Sequence, residues 1–304
     1  MKQITGIGAN VCDTLYTVSE YPKEDTKLKA ENIMQSGGGP CATGLVAASR
    51  LGANCAYIGV LTDDPQGKFL MEDLEKYGVS TDYVTVKSGH TSFSSCIWLN
   101  TATASRTCVF HRGNIPPLAL NDKQRQAIGD SAVLMVDGNE LEAAIDGAKT
   151  AKSAGVKVLY DAGGMYEGVE RLLPYADILI PSEEFALGHT GEKCALAAAK
   201  ALFEKYSPRV VVITQGKKGG IMYDGEAVRE YPAFLVDAVD SNGSGDVFHG
   251  AFAFCTASGY DYYKSCIFSS AVSAIKCTRM GARCAAPEFE EVVEFLKERG
   301  VNEL

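Results

Sequence analysis

Two short stretches of this chain contain no polar residue: residues 132–136 (Ala-Val-Leu-Met-Val) and residues 210–213 (Val-Val-Val-Ile). Neither alternates, so neither can turn one face to water. Each must be covered on both sides, which is the situation of a parallel strand in a sheet lying between two layers of helices. The surrounding sequence has the complementary period. Helices are predicted over 140–154 and 195–206, with further apolar strands at 156–160 and 178–180. Earlier, a strand at 4–8, a helix ending at Leu51-Gly52 with Cys41, Leu45 and Ala48 on one face, a strand at 55–60, a helix at 66–77 and a strand near Tyr83 repeat the rhythm. Three helical stretches, 247–258, 262–277 and 289–299, close the chain.

The alternation is interrupted early. Segments running to Val18 and over 27–34 have period two, and 91–99 and 106–110 flank a polar turn with no helix between them, which predicts a hairpin. These segments, drawn from about 12–36 and 90–112 by their period, predict a small β appendage on a doubly wound α/β domain. No linker, repeat or low-complexity stretch divides the 304 residues. Residues 1–304 therefore read as a single domain, long enough to bury about three quarters of its unfolded surface.

Charge narrows the partners. A formal net charge of −9 repels a nucleic-acid backbone and an anionic membrane alike. The ten cysteines are scattered, mostly in apolar runs, without a C-x-x-C pair, and read as small buried hydrophobes. The opening MKQITGIGANVCD has no apolar signal core, and no run is long enough to span a bilayer. A reduced, cytoplasmic protein is the expectation.

The chemistry is concentrated between Asp237 and Gly250, in the run Asp240-Ser241-Asn242-Gly243-Ser244-Gly245-Asp246. Small residues permit a sharp turn into an apolar helix that starts at about Ser244. Free N–H groups at such a start favour an anion. Asp246 lies in the first turn, where a carboxylate either complements the helix dipole or does chemistry; Asp240 adds a second carboxylate. A further glycine-rich turn, Thr214-Gln215-Gly216-Lys217-Lys218-Gly219-Gly220, follows a buried strand. Open α/β sheets bind ligands at such strand ends. Neither turn matches the P-loop pattern, and Gly6-Ile7-Gly8 lacks the third glycine of a dinucleotide fingerprint. His249 lies three residues after Asp246, yet a carboxylate needs no partner to ionise at neutral pH. His90, His111 and His189 have no metal-site spacing.

The run Asp240–Asp246 resembles the C-terminal signature of the ribokinase-like (PfkB) carbohydrate kinases, D-[TS]-x-G-A-G-D, and Gly37-Gly38-Gly39-Pro40 with the helix after it resembles their N-terminal signature. The likeness extends to Gly8-x-x-x-x-Asp13, the lid-like strands, Gly113-Asn114, Thr214-x-Gly216 and Gly281-Ala282. It implies a ribokinase-like fold, a three-layer α/β/α sandwich with a small β-sheet lid, that transfers the γ-phosphoryl of ATP to a sugar hydroxyl with Mg²⁺. Asp246 matches the catalytic base, and the N–H groups of Gly243, Ser244 and Gly245 match the anion hole. Asp13, Gly38 and Gly39 match sugar contacts, as does Thr43, which stands where the signature has Asn. Thr214, Gly216, Gly219 and Ser182 match the nucleotide side. Asp240 and Asn242 match a loop that supplies oxygens to a monovalent cation, K⁺, in many members. The N-x-x-E motif is replaced by Ser182-Glu183-Glu184-Phe185, which leaves Glu183 or Glu184 for Mg²⁺.

Arg106 and Arg112, on or just after the hairpin, suit either an anionic sugar or a solvated strand edge. The expected assembly is a homodimer joined through the lids. Two rivals stay open: a nucleoside kinase on the same scaffold, and a sugar-responsive binding protein without transfer.

Overall fold

The apolar runs form the middle of a nine-stranded sheet in the computed structural model, which describes residues 3–103 and 105–302. The first strand is β1 (Ile4–Ile7). After two lid strands, β2 (Val11–Val18) and β3 (Asn32–Gly38), come β4 (Cys55–Thr62) and β5 (Val79–Lys87). Two more lid strands, β6 (Ser94–Asn100) and β7 (Ser105–His111), precede β8 (Val133–Val136), β9 (Lys157–Ala162) and β10 (Ile178–Pro181). The last are β11 (Val210–Thr214), β12 (Gly220–Tyr223) and β13 (Val228–Tyr231).

Across the large sheet the order is β13-β12-β11-β10-β9-β8-β1-β4-β5. The chain works outward from β1 through β4 to β5, then restarts with β8 on the other side of β1. Loops leaving β1 and β8 therefore diverge and open a crevice at their C-terminal ends.

Helices cover both faces, as unbroken apolar strands require. Ile4, Val133, Met135 and Val212 face one layer, with α1 (Pro40–Arg50), α7 (Ser244–Ser258) and α8 (Tyr262–Cys277). Ile7, Leu134, Val136 and Val211 face the other, with α3 (Asp122–Gly129), α4 (Leu141–Ser153) and α6 (Ala195–Tyr206). The remaining helices are α2 (Pro65–Lys76), α5 (Glu183–Thr190) and α9 (Phe289–Glu298). This is the ribokinase-like three-layer arrangement. Among the described residues no helix is long and apolar enough to cross a membrane.

The lid is a separate sheet in the order β3-β2-β6-β7. It departs from the sequence reading in one respect: the strand expected at 27–34 lies at Asn32–Gly38. Gly37 and Gly38 extend this strand beyond the expected one, pairing with Cys12 and Val11. A Cβ on Gly38 would lie 1.9 Å from Asp13 Oδ2, so glycine is there for close approach. Helix α3 and the β12–β13 hairpin were also not expected from apolar period. The segment before α7 is irregular rather than a strand, because β13 ends at Tyr231 and turns away antiparallel to β12. All ten cysteines are free; Cys108, Cys194 and Cys284 are exposed, against the expectation of burial.

One contact sets where the site forms. Helices α1 and α7 meet through glycines: a Cβ on Gly250 would lie 2.0 Å from the Gly44 carbonyl oxygen. That proximity brings the first turn of α7 to the start of α1. Gly250→Ala must push the helices apart, at about 1–3 kcal/mol or more for overpacking. The expected outcome is a lower Tm in thermal melts; an unchanged Tm would show that the helices have room to spare.

Candidate active site

A cleft of about 470 Å³ opens at the switch point, beneath the lid. Five successive parallel strand ends contribute to its floor: Ala9, Asn139, Asp161, Ser182 and Thr214 follow or end β1, β8, β9, β10 and β11. The start of α7 enters from one side with Gly243, Ser244, Gly245 and Asp246, and the lid adds Asp13, Ser95, Arg106 and Arg112.

The lid end of the cleft is built around Asp13. Its carboxylate is buried, accepts a hydrogen bond from Ser95 Oγ at 2.6 Å, and has its pKa raised by burial against the opposing pull of Ser95, Arg283 and Arg106. Gly39 is the N-cap of α1 with φ +90°, and a Cβ there would strike the Ala9 carbonyl oxygen at 2.5 Å. Arg283, fully buried and not anticipated from the sequence, binds this region together. It donates to Asp73 Oδ2, Asn10 Oδ1 and the Gly38 carbonyl, each at 2.6 Å. A charge this deep is held by pairing and hydrogen bonds, and here the same bonds fix the backbone of the glycine strand.

Asp137, just after β8, anchors the crevice. Its carboxylate accepts from the N–H groups of Ala9 at 2.8 Å, Cys41 at 3.0 Å and Asn139 at 2.9 Å. One side chain thus ties the end of β1, the start of α1 and the loop after β8. A Cβ on Gly8 would lie 2.3 Å from Asp137 Oδ1, which explains glycine at that position.

Asp246 sits in the first turn of α7, behind the left-handed N-cap Gly243. Burial first and Asp161 second raise its pKa to about 7, against the opposing pull of His249 and Arg106. Asp161 is raised to about 8, by burial first and by Asp137 second. His249 turns to Asp161 rather than to Asp246: Nδ1 lies 3.1 Å from Asp161 Oδ2 and 2.6 Å from the Gly245 carbonyl, and Nε2 lies 3.0 Å from the Ile180 carbonyl. Burial lowers the imidazole pKa. The contact pairs Asp161 with His249, while the Asp161 carboxylate still acts on Asp246 to raise its pKa.

The other positions divide. Arg112 donates to Asn139 Oδ1 at 2.8 Å and stacks over Phe93, while Arg106 makes a long contact of 3.5 Å to the Ser241 carbonyl. The Ser244 N–H donates to the Ser241 carbonyl at 3.2 Å, while the Gly245 and Asp246 N–H groups are among the first-turn donors that have no partner within the helix. Ser182 bridges Thr214 and caps α5; Gly216 and Gly219 lie in the turn beyond, outside the cleft lining. Glu183 accepts from Gln215 Nε2 at 2.7 Å, and Glu184 is exposed away from the cleft. Thr43 is fully buried without lining the cleft. Asp240 is buried, accepting from the N–H groups of Asn242 and Gly281; Asn242 lines the cleft.

The chain matches the pfkB family of carbohydrate kinases over residues 1–288. A ribokinase of Haemophilus influenzae is 27% identical over 97% of this chain and 99% of its own length. Mouse ketohexokinase is 24% identical over 92% of this chain and 97% of its own. Among solved structures, a ribokinase candidate from Agrobacterium tumefaciens superposes with a TM-score of 0.93 at 28% identity, covering 99% of both chains.

The raised carboxylates give a stability prediction. Asp246 and Asp161 hold protons in the folded chain that the unfolded chain has already lost at the same pH, so stability falls as pH rises through their folded pKa values. His249, with a lowered pKa, acts in the opposite sense at lower pH. Tm should therefore fall between about pH 6.5 and about pH 8.5, and Asp246→Asn should flatten that fall and melt higher at the upper pH. Parallel Tm–pH curves for the two proteins would contradict the raised pKa of Asp246.

Proposed function

This chain belongs to the pfkB family of carbohydrate kinases, and from that premise we propose that it transfers the γ-phosphoryl of ATP to a primary hydroxyl of a monosaccharide, with Asp246 as base. The observation that carries the reading is the placement of Asp246. It stands in the first turn of α7, in the same cleft as Asp13, Gly38 and Gly39.

Asp13 would accept hydrogen bonds from two sugar hydroxyls, and the glycines let the ring approach the backbone. That orientation holds the primary hydroxyl against Asp246, which takes its proton as the oxygen attacks phosphorus. The α7 N–H groups stabilise the charge spread over the transferring group. The lid excludes water, which would otherwise compete as acceptor. Thr214 and Ser182 lie on the nucleotide side. Mg²⁺ prefers oxygen ligands and keeps several waters; the Glu183 carboxylate beside Gln215 would present an oxygen to it. When bound with ATP, the ion would neutralise phosphate charge.

A ketose or pentose is the favoured acceptor, following the names of the relatives above, over a nucleoside. Arg106 and Arg112 line the lid side, so anionic sugars belong in any substrate panel.

The outer face of the lid supports a homodimer. Ile33, Tyr16 and Trp98 lie in register across three strands, with Val109 on the fourth, and Ile33 and Val109 are more than half exposed. A monomer would leave this apolar face in water. Mass measurement in solution should give a dimer, and Val109→Glu a monomer; a monomeric wild type would contradict the assembly.

The function is tested by ADP release over neutral sugars, sugar phosphates, sulfonated sugars and nucleosides. Turnover on one class, reduced about 10²–10⁴-fold in Asp246→Asn, is the expected result. Since the base acts ionised and its pKa is about 7, kcat/KM should rise with pH through that value. Near-wild-type turnover in the variant would remove Asp246 from the role; sugar binding without turnover on any substrate would favour the binding protein.

A further inference from the structure

The loop that the family resemblance assigns to a monovalent cation already contains a cation of the chain's own. Lys276, one residue from the end of α8, is fully buried. Its Nζ donates to the Asp240 carbonyl at 2.6 Å and lies 3.8 Å from Asp240 Oδ2. The carboxylate has no idle oxygen: Oδ1 accepts from the Asn242 N–H at 2.8 Å and Oδ2 from the Gly281 N–H at 2.9 Å. The N–H groups of Val239 and Asp240 in turn donate to the Cys277 carbonyl. Two loops, one leading into α7 and one leaving α8, are thereby closed around a single ammonium group.

A lysine is rarely buried to this extent unless it is paired. Burial pulls the Lys276 pKa down and the Asp240 carboxylate opposes that pull. An ammonium is a compact monovalent cation with three donors, and it satisfies a carbonyl and a carboxylate as a bound ion does. K⁺ at the same oxygens would face a like charge inside the protein, where repulsion is poorly screened. The donor set therefore does not suit an inorganic cation.

We propose that this kinase needs no monovalent cation because the Lys276 ammonium takes its place, holding the Asp240–Asn242 turn and, through it, the start of α7. The proposal rests on the kinase reading above. Its chemistry is electrostatic only; no bond to Lys276 forms or breaks.

The test is ADP release with wild type, Lys276→Met and Lys276→Ala in media of equal ionic strength made with KCl, NH₄Cl or choline chloride. The expected result is equal wild-type rates in all three. In choline, Lys276→Met and Lys276→Ala should lose about tenfold or more in kcat/KM, as when one partner of a buried charge pair is removed. Only Lys276→Ala, which opens the space, should recover activity in K⁺ or NH₄⁺. Activation of wild type by K⁺ would overturn the proposal, as would variants that match wild type in choline.

Melting in the same media separates this proposal from the kinase reading. If no sugar is turned over in any medium, the kinase reading fails. The cation proposal is then decided by Tm: K⁺ should stabilise Lys276→Ala and leave wild type unchanged, and stabilisation of wild type overturns it. Should both variants prove unfolded, the wild-type comparison of KCl with choline decides alone.

Discussion

Three carboxylates, Asp137, Asp161 and Asp246, converge where β1 and β8 part, and much of the site can be understood as the means of keeping them there. Carboxylates out of water repel and draw protons. Asp137 is held by three backbone N–H groups, two of them at strand end and helix start. Asp161 is paired with His249. Asp246 is left with its pKa near neutrality, which is where a general base is most effective. The glycine contact between α1 and α7 is what allows the third carboxylate to approach the other two.

Buried cations repeat this logic on the opposite sign. Arg283 joins Asp73, Asn10 and Gly38, so the loop after α8 governs the backbone that would hold a sugar. Lys276, seven residues earlier, governs the turn before α7. One short segment behind the cleft therefore controls both ends of it. A reaction that runs on positioning and electrostatics gains from such rigid support.

Much of this was legible in the sequence. Unbroken apolar strands such as 210–213 can only be central, and the small residues around Gly243 announce a helix start open to an anion. The helix boundary near Ser244 and the approximate lid were readable for the same reason. The β12–β13 hairpin was not, because its strands are short and half-exposed and pair only at the sheet edge. Gly37 and Gly38 fell outside the strand expected at 27–34 because glycine has no side chain to continue an alternation, and only the partner strand reveals their pairing. Asp137 and Asp161 carried a usable signal: each directly follows an apolar strand, at the edge where such sheets bind ligands. Arg283 and Lys276 carried none, since their partners lie far away in sequence, and only the fold brings them together.

The most direct test of the account is a crystal structure with the turned-over sugar and a non-hydrolysable ATP analogue. The account predicts the acceptor hydroxyl within about 2.6–3.2 Å of the Asp246 carboxylate, the terminal phosphate at the start of α7, and Asp13 on other hydroxyls of the ring. A sugar whose acceptor hydroxyl lies away from Asp246, or a terminal phosphate bound elsewhere than the α7 start, would contradict it.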